Sequence, residues 1–273
     1  MKVIPPEILK RRGARSTALV PSEVRQLLNE GRIEAVNLSE WLIIDHRELA
    51  GHVLPSVGRR DLVKPVRAAL AEPGVTTAPK RLVAVAGALA AGCAGAEEAD
   101  ALMAGLMGQV SDTARSWAAG LVGRHPAYAL AGRLERLRGA AADANMGVRE
   151  SAWMSVRGEV AEDPEGAVRL LVPWTVDAEE GVRRFASEVT RPCGVWCAHI
   201  TRLREHPEIG LPVLEPLRSD PSRYVQNSVG NWLNDAARSR PGWVRSLCAA
   251  WQASCATAAT AWIVKRALRN CGP

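Results

Sequence analysis

The chain has 273 residues, enough for one or two domains, and 35 Lys plus Arg against 29 Asp plus Glu give it a formal net charge of +6. Only five of the basic residues are Lys. An Arg-rich basic chain suits a nucleic-acid partner, because guanidinium groups pair bidentately with phosphate. A GC-rich genome would favour Arg codons without such a partner, so composition alone does not choose between the two explanations.

The sequence argues against a membrane span, a metal site and secretion. The Ala- and Gly-rich stretch 82–108 is interrupted by acidic residues, and its longest apolar run is shorter than the roughly 18–20 residues that cross a bilayer. Six Cys and five His include no Cys-x-x-Cys pair and no zinc-ligand spacing, so we expect neither a metal nor a cofactor. The N-terminus lacks the apolar segment of a signal peptide, so we expect a cytoplasmic protein with reduced thiols.

The first 60 residues differ in character from the rest of the chain. They contain Pro5-Pro6, a basic cluster at 10–15 and, after Pro21, a segment with helical spacing of apolar residues. We predict an N-terminal helical cap at 1–60, which a repeat array needs at its end. Residues 61–144 carry only fragments of the pattern found later, at 79–87 and 113–119, and we predict weaker helical repeats there.

A segment that occurs twice, 43 residues apart, is the strongest pattern in the sequence. Residues 174–192 align with 217–235, and this period is typical of helical hairpin repeats. Further copies begin near 148 and 264. No run alternates with period two, so we predict an all-α fold: a single α-solenoid over 1–273 with a concave basic cleft, its clearest repeats lying at 145–273. Three Asp residues are predicted to cap helix N-termini: Asp163, Asp177 and Asp220.

Polar residues recur on one face of each repeated helix. Arg184, Glu188 and Arg191 fall at i, i+4 and i+7 of the first copy, where a solvated salt-bridge ladder is the ordinary explanation. The next copy carries polar residues at the corresponding spacing, with a Trp beside them. These are Asn227, Asn231, Trp232 and Asp235.

Two carboxylates, Glu188 and Asp235, are therefore expected to face one cleft. Trp196, and Trp153 or Glu150 from the preceding repeat, would accompany them. Indole faces attract cations, Arg residues bind phosphates, and a carboxylate stabilises positive charge developing on a sugar. The alternative for each Trp is ordinary packing between repeats.

Three blocks of the sequence together resemble a known family. They are residues 183–192 followed by Trp196, residues 220–235, and residues 262–269. In this order and spacing they resemble the bacterial alkylpurine DNA glycosylases built from HEAT-like repeats, the AlkD and AlkC group, and most closely the AlkC branch. The resemblance covers about residues 145–270 and implies HEAT-like repeats there.

The resemblance implies a base-excision repair enzyme. Such an enzyme hydrolyses the N-glycosidic bond of cationic N3- or N7-alkylated purines in double-stranded DNA without enclosing the base in a deep pocket, in contrast to the usual base-flipping enzymes. Bulky N7-guanine adducts are possible substrates, and some members of the group give bacteria self-resistance to their own DNA-alkylating antibiotics. We expect a monomer that needs no cofactor and does not bind membranes.

Site residues follow from the same resemblance. Glu188 and Asp235 match acidic active-site positions of the AlkC branch. The third acidic position falls near Trp153, so either Glu150, one turn earlier, replaces it or the protein works with two acids. The residues expected to bind substrate or DNA are Trp153, Trp196, Trp232, Arg184, Arg191, Asn227, Asn231 and Arg266.

Two other functions remain open on the sequence alone. The same scaffold could bind bent or branched DNA without catalysis, through Arg contacts to phosphates. It could instead bind a protein, which is the general use of such repeats and predicts no salt-sensitive affinity for DNA.

Overall fold

The computed structural model describes residues 4–194 and 197–271. Across these two ranges the chain forms seventeen α-helices and short 3-10 turns, with no strand. The predicted all-α fold is confirmed. Contacts divide the chain into two compact units: unit 1 comprises 1–129 and 145–152, and unit 2 comprises 130–144 and 153–273. The single domain and the concave cleft concern how these units are arranged, and both stay predictions.

Unit 1 is built from helices α1 to α8 and the first part of α10 (Met146–Glu162), residues 146–152. Its helices are α1 (Pro6–Leu9), α2 (Ser22–Asn29), α3 (Leu38–Leu42), α4 (His46–Ser56), α5 (Val63–Ala69), α6 (Ala78–Ala91), α7 (Ala96–Met107) and α8 (Asp112–Arg124). Helix α8 is the centre of the unit, because α6 and α7 both pack on it and ten of its thirteen residues are buried. Its Trp117 is fully buried and donates a hydrogen bond from Nε1 to Nδ1 of His46.

Buried polar groups of unit 1 hold the backbone between α2 and α3. Glu40 is 1% exposed and accepts from the Arg11 guanidinium at 2.6 and 2.8 Å and from the backbone N–H of Val36 at 3.0 Å. Asp112 likewise accepts from the backbone N–H of Ala35 at 3.0 Å. These carboxylates fix a turn that has no regular hydrogen-bond ladder of its own.

Unit 2 contains the clearest repeats. Its helices are α9 (Leu130–Ala141), the later part of α10 (Met146–Glu162), α11 (Pro164–Leu171), α12 (Glu180–Val189), α13 (Thr201–Glu205), α14 (Leu211–Leu214), α15 (Arg223–Ala237), α16 (Pro241–Ser254) and α17 (Ala258–Ala267). Helices α12, α15 and α17 pack in series, α12 on α15 and α15 on α17. The two copies found in the sequence end in α12 and α15, so the 43-residue period corresponds to one repeat.

A glycine sets the close approach of α15 and α17. A Cβ atom placed on Gly230 would lie 2.9 Å from Cβ of Arg266, closer than such atoms normally come. The missing side chain therefore allows Arg266 to lie across α15, where its Nε–H donates to Asn231 at 2.9 Å. The polar residues of α15 and α17 come into contact because Gly230 has no side chain to separate the two helices.

The repeated Asp residues bridge repeats instead of capping helices. Asp220 accepts from Arg183 of α12, in the previous repeat, at 2.7 and 3.1 Å, and Asp177 forms an ion pair with Arg138 of α9. The N-caps fall two residues later, at Glu179 and Ser222. The predicted caps at Asp177 and Asp220 are therefore wrong. Each carboxylate binds an arginine of the previous repeat, and the backbone N–H that it also accepts belongs to the N-cap residue, before the helix begins.

The third predicted cap is present. Asp163 is the N-cap of α11, and its side chain accepts from the backbone N–H of Gly166 at 2.9 Å. Pro164 follows at the first helical position, where its missing N–H costs no helical hydrogen bond.

Side chains from neighbouring helices satisfy the carbonyl groups at helix C-termini in unit 2. Buried Arg157 of α10 donates to the carbonyl oxygens of Val189 at 2.8 Å, Arg191 at 2.7 Å and Ala198 at 3.2 Å. Asn234 of α15 donates to the carbonyl oxygen of Ala267 at 2.8 Å. The carbonyl groups of Val189 and Ala267 are acceptors that a helix end leaves without an intrahelical partner, while those of Arg191 and Ala198 lie in the segment after α12.

No helix within the described ranges combines the length and the hydropathy needed to cross a bilayer. Among the same residues, no group of three or more His, Cys, Asp or Glu side chains is placed to hold a metal ion.

Candidate functional site

The centre of the candidate site is the carboxylate of Glu188, on the last turn of α12. The residue is 5% exposed. Its Oε1 accepts from Nη1 of Arg191 at 2.7 Å, and its Oε2 accepts from the hydroxyl of Ser228 at 2.7 Å. Nη2 of Arg184 lies 3.4 Å from Oε2. Every one of these partners is a side chain, and two of them are cationic.

Arg191 joins the two predicted acids. Beyond its bond to Glu188, its Nε and Nη2 approach Oδ2 of Asp235 at 2.9 and 2.8 Å. The sequence predicted that Glu188 and Asp235 face the same site, and one guanidinium contacts both. Within the described ranges, Oδ1 of Asp235 accepts no hydrogen bond from the protein.

The pKa values of the two carboxyl groups are shifted in opposite directions. Burial raises the pKa of Glu188. The charges of Arg184 and Arg191 lower it by a larger amount, so the pKa of Glu188 lies below the usual value. Burial also raises the pKa of Asp235, and Arg191 only partly offsets this, so its net pKa lies above the usual value. Glu188 is thus held as an anion, and Asp235 is the better proton acceptor of the two.

A second layer of polar residues extends the site along α15. Asn227 accepts from Nε1 of Trp262 at 3.0 Å, and Asn231, one turn later, accepts from Arg266. The guanidinium of Arg184 lies 4.4 Å from the ring centroid of Tyr224. The predicted Arg184, Arg191, Asn227, Asn231 and Arg266 are therefore brought onto one row of helices with the two acids.

Two predicted DNA-contacting tryptophans are instead core residues. Trp232 is fully buried, and its Nε1 donates to the carbonyl oxygen of Thr190 at 2.9 Å. Trp153 is 5% exposed, with its ring 6.0 Å from the guanidinium of Arg157. Neither indole offers a face to DNA in this structure, because both fill the space between helices, so their assignment as binding residues is wrong.

Two further predicted residues cannot be added to the cluster. Trp196 lies outside the described residues. Glu150 is a half-buried residue of unit 1, whereas Glu188 and Asp235 belong to unit 2. A role for Glu150 as third acid stays a prediction.

Four residues that were not predicted from the sequence accompany these side chains: the buried Ser187 and Ser228, together with Tyr224 and Arg223. The Ser187 hydroxyl lies 2.8 Å from that of Ser228, which in turn donates to Glu188. Arg223 stacks on Trp262, with its guanidinium carbon 3.8 Å from the ring centroid. The one available signal was that Tyr224 lies three residues before Asn227, at helical spacing.

The chemistry that the site could perform follows from its charged groups. These are the anionic Glu188, the more readily protonated Asp235 and several guanidinium groups. The carboxylates suit a substrate that develops positive charge. The guanidiniums suit a substrate that carries phosphate.

The fold is similar to that of several solved structures, one of which is an alkylpurine DNA glycosylase. The chain aligns over 94% of its length with the Pseudomonas fluorescens alkylpurine DNA glycosylase AlkC bound to DNA containing an abasic site analog, with a TM-score of 0.68 and 24% identity, covering 65% of that chain. AlkD2 from Streptococcus mutans aligns with 76% of this chain and 88% of its own, with a TM-score of 0.54 and 19% identity. The predicted resemblance to the AlkC and AlkD group is confirmed at the level of the fold.

Two more proteins match. The smu.31 protein from Streptococcus mutans UA159 aligns with 81% of this chain and 98% of its own, with a TM-score of 0.56 and 19% identity. The uncharacterized protein YhaZ of Bacillus subtilis (strain 168) is 37% identical over 116 residues, which are 42% of this chain. The match spans about a third of YhaZ, 32% of its length. No protein-family profile matches the sequence.

Proposed function

We propose that the protein is a DNA glycosylase that excises cationic alkylated purines from double-stranded DNA. The observation that carries the proposal is the Glu188–Arg191–Asp235 bridge, two buried carboxylates held by one guanidinium across α12 and α15. The fold shared with AlkC and AlkD2 supports it. Two buried acids with pKa shifts of opposite sign are typical of functional sites and are not required for an ordinary surface ion pair.

The chemistry is hydrolysis of the N-glycosidic bond. The bond between C1′ and the purine nitrogen breaks, and its electron pair neutralises the cationic base. Glu188, kept anionic by Arg184 and Arg191, stabilises the positive charge that develops on the sugar. Water attacks C1′, and Oδ1 of Asp235 takes its proton, which the raised pKa of this carboxyl favours.

Phosphate binding and acid exposure are coupled in this proposal. Arg184 and Arg191 are bound to the acids in the absence of DNA. When DNA phosphates compete for these guanidiniums, the carboxylates turn to the sugar. We include N3- and N7-methylpurines and bulky N7-guanine adducts as substrates, the latter in a self-resistance role, because the proposed reaction at C1′ does not require the base to be enclosed.

The direct test is release of base. Purified protein is incubated with duplex DNA treated with a methylating agent and, in parallel, with DNA carrying a bulky N7-guanine adduct, and free base is measured by mass spectrometry. Release that depends on Glu188 supports the proposal and ranks the substrates. Absence of release from both DNAs, at protein concentrations that saturate binding, contradicts it.

A non-catalytic DNA-binding protein is the second candidate. The observation that favours it is that both oxygens of Glu188 are already bound, as in a structural ion network. This candidate predicts tight, salt-sensitive binding of DNA without release of base.

A further inference from the structure

We propose that Arg223 and Trp262 form a phosphate-binding pair that holds the DNA backbone beside the acid site. The guanidinium carbon of Arg223 lies 3.8 Å from the centroid of the Trp262 ring. The indole is itself fixed, since its Nε1 donates to Asn227 at 3.0 Å. The inference rests on DNA being the partner in the proposed function.

The donors of Arg223 are unused. The residue is exposed, and no hydrogen bond or ion pair joins it to another residue of the described ranges. Trp262 is also exposed, at 37%. The contact with the indole ring uses none of the N–H donors of Arg223. A guanidinium with free donors can bind phosphate bidentately.

The two acids nearest to Arg223 bind other partners. Glu180 accepts from the hydroxyl of Ser222, the residue before Arg223. Asp220, three residues earlier, is bound through both oxygens to Arg183. The first turn of α15 contains no acidic residue. Arg223 is also the first residue of α15, where a cation opposes the helix dipole. Its position therefore gains little for folding, and an anionic ligand explains it better.

The pair continues the polar row of the candidate site. Trp262 bonds Asn227 and Arg266 bonds Asn231, so the two contacts are one helical turn apart on both α15 and α17. Asp235 is twelve residues beyond Arg223, about 18 Å along the helix axis. Because nucleotides of one strand are about 3.4 Å apart along a duplex, a strand parallel to α15 would place the bound phosphate roughly five nucleotides from the reacting sugar.

The test compares variants in binding to an undamaged duplex, measured by fluorescence anisotropy over a series of salt concentrations. Arg223→Ala should weaken binding about tenfold and lower the salt-dependence slope by about one. Arg223→Lys keeps the positive charge but loses the bidentate donors of the guanidinium. It should therefore retain the salt-dependence slope and bind DNA with intermediate affinity. Trp262→Leu should weaken binding at an unchanged slope, because it removes the platform but no charge.

Arg202→Ala is the matched control, since it removes one charge from an exposed ion pair with Glu165 on other helices of unit 2. Equal affinity and equal slope for Arg223→Ala and Arg202→Ala would overturn the inference. Thermal unfolding of each variant confirms that it is folded. Base release is measured separately: release by the wild type with no effect of Arg223→Ala on binding refutes only this pair, whereas no release with a clear effect refutes only the glycosylase.

Discussion

Two buried glutamates, one in each unit, are paired with arginine in different ways. Glu40 of unit 1 binds Arg11 and also the backbone N–H of Val36, while Arg11 donates to two backbone carbonyl groups. Glu188 of unit 2 binds side chains alone. A carboxylate tied to the backbone cannot exchange partners without moving the chain, whereas one held by side chains can.

This difference in partners distinguishes Glu40, which forms a structural ion pair, from Glu188, which is a candidate catalytic residue. Both acids are buried and both are paired, so burial and pairing do not distinguish them. The partners do: Glu40 is bound in part by the backbone, whereas Glu188 is bound only by side chains, and we expect a DNA phosphate to draw Arg184 or Arg191 away without moving the chain. Removing a partner should therefore affect stability in unit 1 and activity in unit 2.

Arg11→Ala should have the largest effect, on stability. It leaves Glu40 charged, 1% exposed and without its cation, which should cost about 3–5 kcal/mol of unfolding free energy. Urea denaturation measures the loss. Arg202→Ala, which breaks an exposed pair, should cost less than about 1 kcal/mol. Similar small losses for both variants would remove the distinction between the two glutamates.

Glu188→Gln should lower base release by about 10²-fold or more, because it removes one preorganised charge and keeps the shape of the side chain. DNA affinity should be unchanged or higher, since Arg184 and Arg191 lose their anion. Single-turnover release and anisotropy measure the two quantities. Glu165→Gln, in the exposed pair with Arg202, is the control and should release base at the wild-type rate. Full activity of Glu188→Gln would show that this residue has no catalytic role.

Asp112→Asn should change how the stability of unit 1 depends on pH. Burial raises the pKa of Asp112 to about 6, Glu34 adds to the rise, and Arg115 opposes it. The native state then binds more protons than the unfolded state between about pH 4 and 6, so this group's contribution to stability falls as pH rises through that window. The wild type should lose roughly 2–3 kcal/mol relative to the variant across it.

The comparison with the variant is needed because His46 acts in the opposite sense. Burial lowers the pKa of His46 to about 4, so its contribution to stability rises over an overlapping pH range. Urea denaturation of both proteins at several pH values isolates Asp112. A wild-type minus variant difference that stays constant from pH 4 to 6 would contradict the assignment.

Arg184→Ala should have the smallest effect. It removes one cation that we expect to contact phosphate, so DNA affinity should fall by less than about tenfold and the salt-dependence slope by about one. The loss should be the same for damaged and undamaged duplexes, because phosphate contacts carry no sequence information. An affinity equal to that of Arg202→Ala would place Arg184 outside the DNA interface.

The helical repeats could be predicted because they depend on local pattern. Apolar residues at helical spacing and the 43-residue period indicate α12 and α15 before any tertiary contact is known. The caps could not be predicted at Asp177 and Asp220. An Asp before a helix looks the same in sequence whether it caps that helix or binds an arginine 37 or 39 residues earlier.

The predicted charged residues lie together in the structure, whereas Trp153 and Trp232 are buried. Glu188, Arg191 and Asp235 recur at one spacing, and that spacing brings them together. Trp232 lies between polar neighbours in the sequence, but one residue turns a helix by about 100°, which is enough to point its ring into the core. Ser228 carries no sequence signal, because small hydroxyl residues are common on any helix.

Arg157 has a consequence for how this protein could diversify. Its guanidinium holds the end of α12 and the segment after it through the carbonyl oxygens of Val189, Arg191 and Ala198. Every residue type has a carbonyl, so this anchor is indifferent to which side chains those positions carry. Substitutions there can accumulate while the path of the backbone is kept, and new substrate preferences could evolve at the border of the site without a new scaffold.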